Sequence, residues 1–210
     1  MPDIEFSRCI TKIYVRSLSY LKEEDIIEIA DNVRLLSIDE IDDVSHYSFD
    51  SHIEEYNVFL EVAKKFDDLN ISKTFFLIHR KTNELLAYMT LSADSIKLTS
   101  DEKEIHDIAK VPYASIPALK VGKLAVNKEV SEEAKRKGYG SFLLEMARAY
   151  AFKMNELGVA CRFITVDADI EYNPDTPDFY FKNGFVENLS NKKRNAKHTI
   201  SMRKDIFVDE

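Results

Sequence analysis

Glycine occurs only five times in these 210 residues, and two of the five stand two apart, in Lys135-Arg136-Lys137-Gly138-Tyr139-Gly140. Before this stretch, Pro117 to Val126 has the apolar texture of a strand. After it, Phe142, Leu143, Met146, Ala147, Tyr150, Ala151 and Met154 recur on one broad helical face, up to a C-terminal stop at Gly158. A chain that passes from strand to long helix through a glycine pair commits itself to an α/β unit there. Glycine lets backbone N–H groups at a helix start approach phosphate oxygens, and the helix dipole favours negative charge at the same place. Lys135, Arg136 and Lys137 add cationic donors. The same residues also fit an ordinary tight turn beside a solvated basic patch. The spacing matches neither G-x-G-x-x-G nor G-x-x-x-x-G-K-[ST]. The pair also comes late, behind a hairpin, whereas a dinucleotide-binding fold opens with its glycines.

Around this turn the elements follow from periodicity. Residues 6–18 read as an opening strand, and Ile26, Ile29, Ala30 and Val33 as one face of a helix. A second helix is predicted over 54–68, with Val58, Val62, Phe66 and Leu69 as its apolar stripe. Thr74 to His79, a polar turn over 80–84, and Leu85 to Leu98 form an antiparallel hairpin. Residues 99–112 read as a loop or short helix, and Gly122 as a candidate bulge in the 117–126 strand. Cys161 to Val166 is a strand, Pro177 opens a short helix through Lys182 that Gly184 stops, and 185–188 and 198–207 are closing strands. Strands ahead of a strand–helix–strand unit predict a mixed α/β domain with helices flanking a mostly antiparallel sheet. With no repeat, linker or low-complexity tract, one domain spanning 1–210 is expected.

Composition narrows the functional classes. At 45% hydrophobic and 31% charged residues the chain is globular and needs no disulfide or metal staple. No apolar run reaches the ~18 residues of a membrane span. The start Met1-Pro2-Asp3-Ile4-Glu5 lacks the layout of a signal peptide, and Cys9 and Cys161 form no framework, so a reducing cytoplasm is the expected setting. The net charge of −8 equals that of residues 21–50, whose ten acids face only Lys22 and Arg34. Lys192, Lys193, Arg194, Lys197, Arg203 and Lys204 form an opposite, basic strip. The acidic balance argues against generic nucleic-acid binding, while the strip keeps an RNA contact open.

Other chemistries find few residues. The histidines show no i,i+4 pair and no partner cysteine, so no metal is expected. Ser141 lacks the second glycine of a nucleophile elbow, and Cys161 opens an apolar strand, where a buried thiol is expected. Asp94, Asp167 and Asp169 stand at strand ends as candidate bases. Tyr180, in Phe179-Tyr180-Phe181-Lys182-Asn183-Gly184-Phe185, reads on local sequence alone as core or interface packing.

In this order the pieces resemble the GNAT family of acetyl-CoA-dependent N-acetyltransferases over residues 74–207. The family's strand corresponds to Leu124-Ala125-Val126, its [QR]-x-x-G-x-[GA] turn to Lys135 through Gly140, its next strand to Phe163–Val166, and its F-Y-x-x-x-G-F helix to Phe179 through Phe185. Lys135 stands where the family carries Arg or Gln. The resemblance implies an acyltransferase with acetyl-CoA as cosubstrate. Backbone N–H groups of Lys135, Arg136, Lys137, Gly138, Tyr139, Gly140 and Ser141 would hold its pyrophosphate. Leu124, Ala125 and Val126 would pair with pantetheine, and Tyr180 would donate to the departing sulfur. Residues 1–73 would line the acceptor side. The acceptor expected first is a primary amine of a small molecule, peptide or protein. Phe49-Asp50, Thr74-Phe75 and Thr90 through Ser95 resemble a subgroup that acetylates aminoacyl-tRNA, which is the alternative; a non-catalytic CoA-binding module is a third reading. Edge strands near the C-terminus also leave a homodimer open.

Overall fold

A computed structural model describes residues 21–191 and 198–207. The elements are α1 (Glu23–Asn32), β1 (Val33–Ser37), α2 (Glu54–Asp68), β2 (Lys73–His79), β3 (Leu85–Lys97), α3 (Ser100–Ile105), β4 (Ser115–Val126), α4 (Tyr139–Glu156), β5 (Phe163–Asp169), α5 (Thr176–Lys182), β6 (Val186–Glu187) and β7 (Thr199–Asp205). The strands are hydrogen-bonded in the order β1-β2-β3-β4-β5-β7-β6. The pairs β1–β2, β2–β3, β5–β7 and β6–β7 are antiparallel. This is the mixed α/β class expected from sequence. The strand predicted over 6–18 lies outside the described residues. Two compact units divide the chain, one drawn from Met1–Ser92 and Val121–Met146, the other from Ala93–Lys120 and Ala147–Glu210.

In the first unit, α1 buries Ile26 and Ile29 but ends one residue early. Asn32 is its last residue, and Val33, assigned from periodicity to the helix face, instead opens β1 and pairs with His79. The Arg80 N–H takes the Asn32 carbonyl at 2.8 Å, which fixes the switch from helix to strand. Helix α2 has the predicted bounds, yet its rotation is not the predicted one. Val58, Val62, Phe66 and Leu69 are 44, 39, 36 and 60% exposed, while Phe59, Ala63 and Asp67 are buried. Two contacts explain this. Phe59 stacks on Tyr88 of β3 at 5.9 Å, and the buried Asp67 carboxylate accepts the Thr74 N–H at 3.2 Å and the Lys73 ammonium at 2.6 Å. A carboxylate that must reach the start of β2 turns its own face inward and leaves the other stripe outside. The core beneath α2 gathers Ile38, Phe76, Ile78, Leu85 and Tyr88. Gly122 marks a close approach: a Cβ there would stand 2.9 Å from Thr90 Oγ1, which accepts the Lys123 N–H.

In the second unit, α3 starts at a capping box in which Thr99 and Glu102 satisfy each other's N–H groups. Ile96, Leu98, Ile116, Ala118 and Phe163 form its core. β7 pairs with β5 on one side and β6 on the other, so the basic residues at its end are interior. Arg203 and Lys204, counted in the basic strip that kept an RNA contact open, are 2 and 8% exposed. Arg203 is tolerated because its guanidinium donates to Glu102 Oε1 at 2.6 Å and to the Glu187 carbonyl at 2.8 Å. Lys192, Lys193, Arg194 and Lys197 lie outside the described residues. Cys161 is buried as expected, and burial pushes its thiol up to about 11.

Candidate active site

The glycine turn stands in the first unit, at the head of α4. Gly138 has φ +101°, and its carbonyl accepts the Phe142 N–H at 2.8 Å, closing the first helical turn. By helix geometry the N–H groups of Tyr139, Gly140 and Ser141 have no intrahelical partner. Ser141 is 3% exposed, and its hydroxyl has no hydrogen-bond partner. An orphaned, buried hydroxyl beside first-turn N–H groups is a donor set for an anion, and a pyrophosphate fits it. Tyr139 contributes backbone alone, since its buried hydroxyl is spent on the Ala134 carbonyl at 2.7 Å.

The three cations ahead of the glycines are not equivalent. Lys135 pairs with Glu132 at 2.9 Å. Arg136 is clamped by α1, to Asp25 at 3.0 Å and Glu28 at 2.6 Å, and it lines a pocket of about 440 Å³ with Glu28, Asn32, His79 and Lys81. Lys137 is exposed and makes no ion pair among the described residues. Of the three side chains, Lys137 is the one left for a ligand charge.

Leu124, Ala125 and Val126 end β4 in the same unit, with Ala125 buried. Asn127, which sequence reading passed over, ties this end down. Its N–H donates to the Leu86 carbonyl at 2.8 Å and its amide nitrogen to the Ser48 and Leu85 carbonyls. Its amide oxygen accepts the Asp50 and Glu129 N–H groups. A lone asparagine after an apolar strand gives little sign that it will bond to two distant segments, at 48–50 and 85–86, as well as to its own turn.

Tyr180 lies in the second unit, 8% exposed on α5. The candidate bases stand there as well. Asp94 accepts the Thr165 hydroxyl, Asp167 is ion-paired with Lys120, and Asp169 accepts the Glu171 N–H at 2.9 Å. No metal-holding group of His, Cys, Asp and Glu occurs among the described residues, and none of their helices is long and apolar enough to cross a membrane.

Three solved structures carry this arrangement of strands and helices. A tyrosine-to-phenylalanine mutant of KacT matches with TM-score 0.60 and 23% identity, over 81% of this chain and 94% of its own. AtaT complexed with acetyl-methionyl-tRNAfMet matches with TM-score 0.61 and 19% identity, over 80% and 94%. AtaTR bound with acetyl-CoA matches with TM-score 0.58 and 20% identity, over 82% and 93%. KacT and AtaT are GNAT-fold acetyltransferase toxins. The chain has the GNAT fold. No protein-family model matches the sequence, and no curated protein matches it either. Within the GNAT fold, the glycine turn at the head of α4 and the end of β4 are the parts that the sequence resemblance assigned to acetyl-CoA.

Proposed function

We propose that this chain is an acetyl-CoA-dependent N-acetyltransferase whose acceptor is the α-amine of an aminoacyl-tRNA. The observation that carries the first half is the head of α4, where Gly138 at positive φ and the orphaned Ser141 hydroxyl form an anion cradle in a GNAT fold. First-turn N–H groups and Ser141 would hold the pyrophosphate, Lys137 would add charge, and the Leu124–Val126 backbone would pair with pantetheine. Acetyl-CoA, when bound, supplies an acyl group on a thioester. An N–H near Val126 would polarise its carbonyl, and Tyr180 would donate a hydrogen bond to the sulfur as the amine attacks.

The acceptor follows from amine chemistry together with the relatives. An α-amine near pKa 7.8 is neutral in about one molecule in seven at pH 7, against about one in 2,500 for a lysine-like amine. The candidate bases Asp94, Asp167 and Asp169 each have a partner already, in Thr165, Lys120 and the Glu171 N–H, and an α-amine is the acceptor that depends least on a base. AtaT has been solved with acetyl-methionyl-tRNAfMet, which supports the same class here. The acidic 21–50 segment is a weaker obstacle to RNA than its net charge suggests. Arg136 offsets one charge of the Asp25 and Glu28 pair and Lys64 faces Asp39, while Asp43 and Asp50 accept local N–H groups.

The test is transfer of labelled acetyl from acetyl-CoA to purified methionyl-tRNA, a peptide α-amine and a polyamine, in parallel. Label in the methionyl-tRNA arm is expected, with at least a hundredfold loss of kcat and little change in acetyl-CoA affinity for Tyr180→Phe. Label only in the other arms overturns the acceptor, and an unchanged kcat removes Tyr180 from the mechanism.

A further inference from the structure

The segment Phe179 to Phe185 contains a helix ending. Asn183 caps α5, and Gly184 follows at φ +77°. The Gly184 N–H donates to the Phe181 carbonyl and the Phe185 N–H to the Tyr180 carbonyl, both at 3.0 Å. These are the two bonds of a Schellman ending, with glycine at the position that must be left-handed. The same Tyr180 carbonyl accepts the Asn183 N–H at 3.0 Å, and the Asn183 side chain donates to the Phe179 carbonyl at 2.7 Å. The ending folds Phe185, 1% exposed, back onto Tyr180, with ring centroids 5.4 Å apart at 65°. The Phe179 ring also meets Tyr180, at 5.1 Å and 68°. Tyr180 is therefore held twice, its backbone oxygen by two N–H groups and its ring by two aromatic neighbours.

We propose that Gly184 and Phe185 are positioning residues for the Tyr180 hydroxyl. This rests on the reading of Tyr180 as hydrogen-bond donor to the departing sulfur. The spacing Tyr-x-x-x-Gly-Phe is then a physical requirement. A Schellman ending joins the third-last helical residue to the second residue past the cap, and these are Tyr180 and Phe185. A hydroxyl that must meet a developing thiolate depends on this hold, because a misplacement of about 1 Å costs about a hundredfold in rate. Gly184 supplies the left-handed turn, and Phe185 supplies the ring that the turn delivers.

The test places 3-fluorotyrosine at position 180 and reads its ¹⁹F resonance in otherwise wild-type protein and in Phe185→Leu, Gly184→Ala and Gly184→Asn. One narrow resonance is expected in the parent, a shifted or split one in Phe185→Leu and Gly184→Ala, and recovery in Gly184→Asn, since asparagine tolerates the left-handed region. An unchanged resonance in Phe185→Leu overturns the proposal. Turnover with methionyl-tRNA supplies the second arm. Phe185→Leu is expected to lower kcat about tenfold at constant KM for acetyl-CoA, and to lower it no further in a Tyr180→Phe background. Equal losses in both backgrounds overturn the proposal by making Phe185 merely structural. A normal kcat in Tyr180→Phe, or no turnover in any variant, overturns the catalytic reading on which the proposal rests, while the fluorine signal separately reports whether the ring is held.

Discussion

Replacing Gly138 by alanine tests the anion cradle without touching any group that contacts a ligand through its side chain. The residue sits at φ +101°, where an L side chain costs about 1–2 kcal/mol. A Cβ would also stand 2.9 Å from Leu21 Cδ2. That atom is the tip of a flexible side chain and can yield by a few tenths of an ångström, so backbone strain dominates. A loop that relaxes toward negative φ moves the N–H groups of Tyr139, Gly140 and Ser141 out of register with an anion. The strain then appears as weaker acetyl-CoA binding, about 5- to 30-fold in Kd by the usual conversion of 1.4 kcal/mol to a factor of ten. Isothermal titration of acetyl-CoA into wild type, Gly138→Ala, Leu21→Ala and the double variant separates the two terms. Gly138→Ala is expected to bind about tenfold more weakly, Leu21→Ala close to normally, and the double variant as weakly as Gly138→Ala. Unchanged affinity in a folded Gly138→Ala would refute the cradle, and full recovery in the double variant would show that the clash, not the backbone, set the geometry.

Two further outcomes concern the second unit. Glu102→Gln leaves the Arg203 guanidinium buried without its carboxylate, at a cost of about 3 kcal/mol, which is about 6–12 °C in Tm for a chain of this size. Arg203→Met costs a similar amount, and the double variant recovers about 2 kcal/mol of the sum in thermal melts; strict additivity would show that the pair is not coupled. Acid should act through the same groups. Burial pushes the Glu102 carboxyl up, but N–H donors from Thr99 and Leu189 and the Arg203 charge outweigh it and hold it below its ordinary value. Asp205 is likewise held low against its burial by His106, the Phe207 N–H and Arg162. Carboxylates depressed in the folded state stabilise it above their ordinary range, near pH 4, and that stability is lost as pH falls through the folded values. Melts from pH 7 to 2 should be flat to about pH 4 and then fall, less steeply in Glu102→Gln; equal slopes would contradict this.

The glycine turn was legible in the sequence because its requirement is local: positive φ at Gly138 and a helix start at the next residue need nothing from elsewhere. The hairpin, α2 and α5 were legible for the same reason. The face of α2 was not. The more apolar stripe of the helix is the exposed one, because the choice of face is made by Tyr88 and by an aspartate that bonds into the next strand. A composition-based reading treats every cation as solvated, so it could not place Arg203 inside, where its partner Glu102 lies 101 residues away. Asn127 and the commitment of Arg136 to α1 were hidden likewise, because the partners that matter lie 42 to 111 residues away. Tyr180 read as packing on local sequence alone, and only the family resemblance gave it a role.

The clamp of Arg136 onto α1 couples two things that the sequence keeps more than a hundred residues apart. A ligand that holds the glycine turn also holds, through Asp25, Glu28 and the contact of Leu21 with Gly138, the first described helix of the chain. By mass action, saturation at a hundred times Kd adds about 2.7 kcal/mol against opening of whatever unfolds with the site. Limited proteolysis within α1 is therefore expected to slow as acetyl-CoA is added, which reads occupancy of the proposed cradle without any turnover.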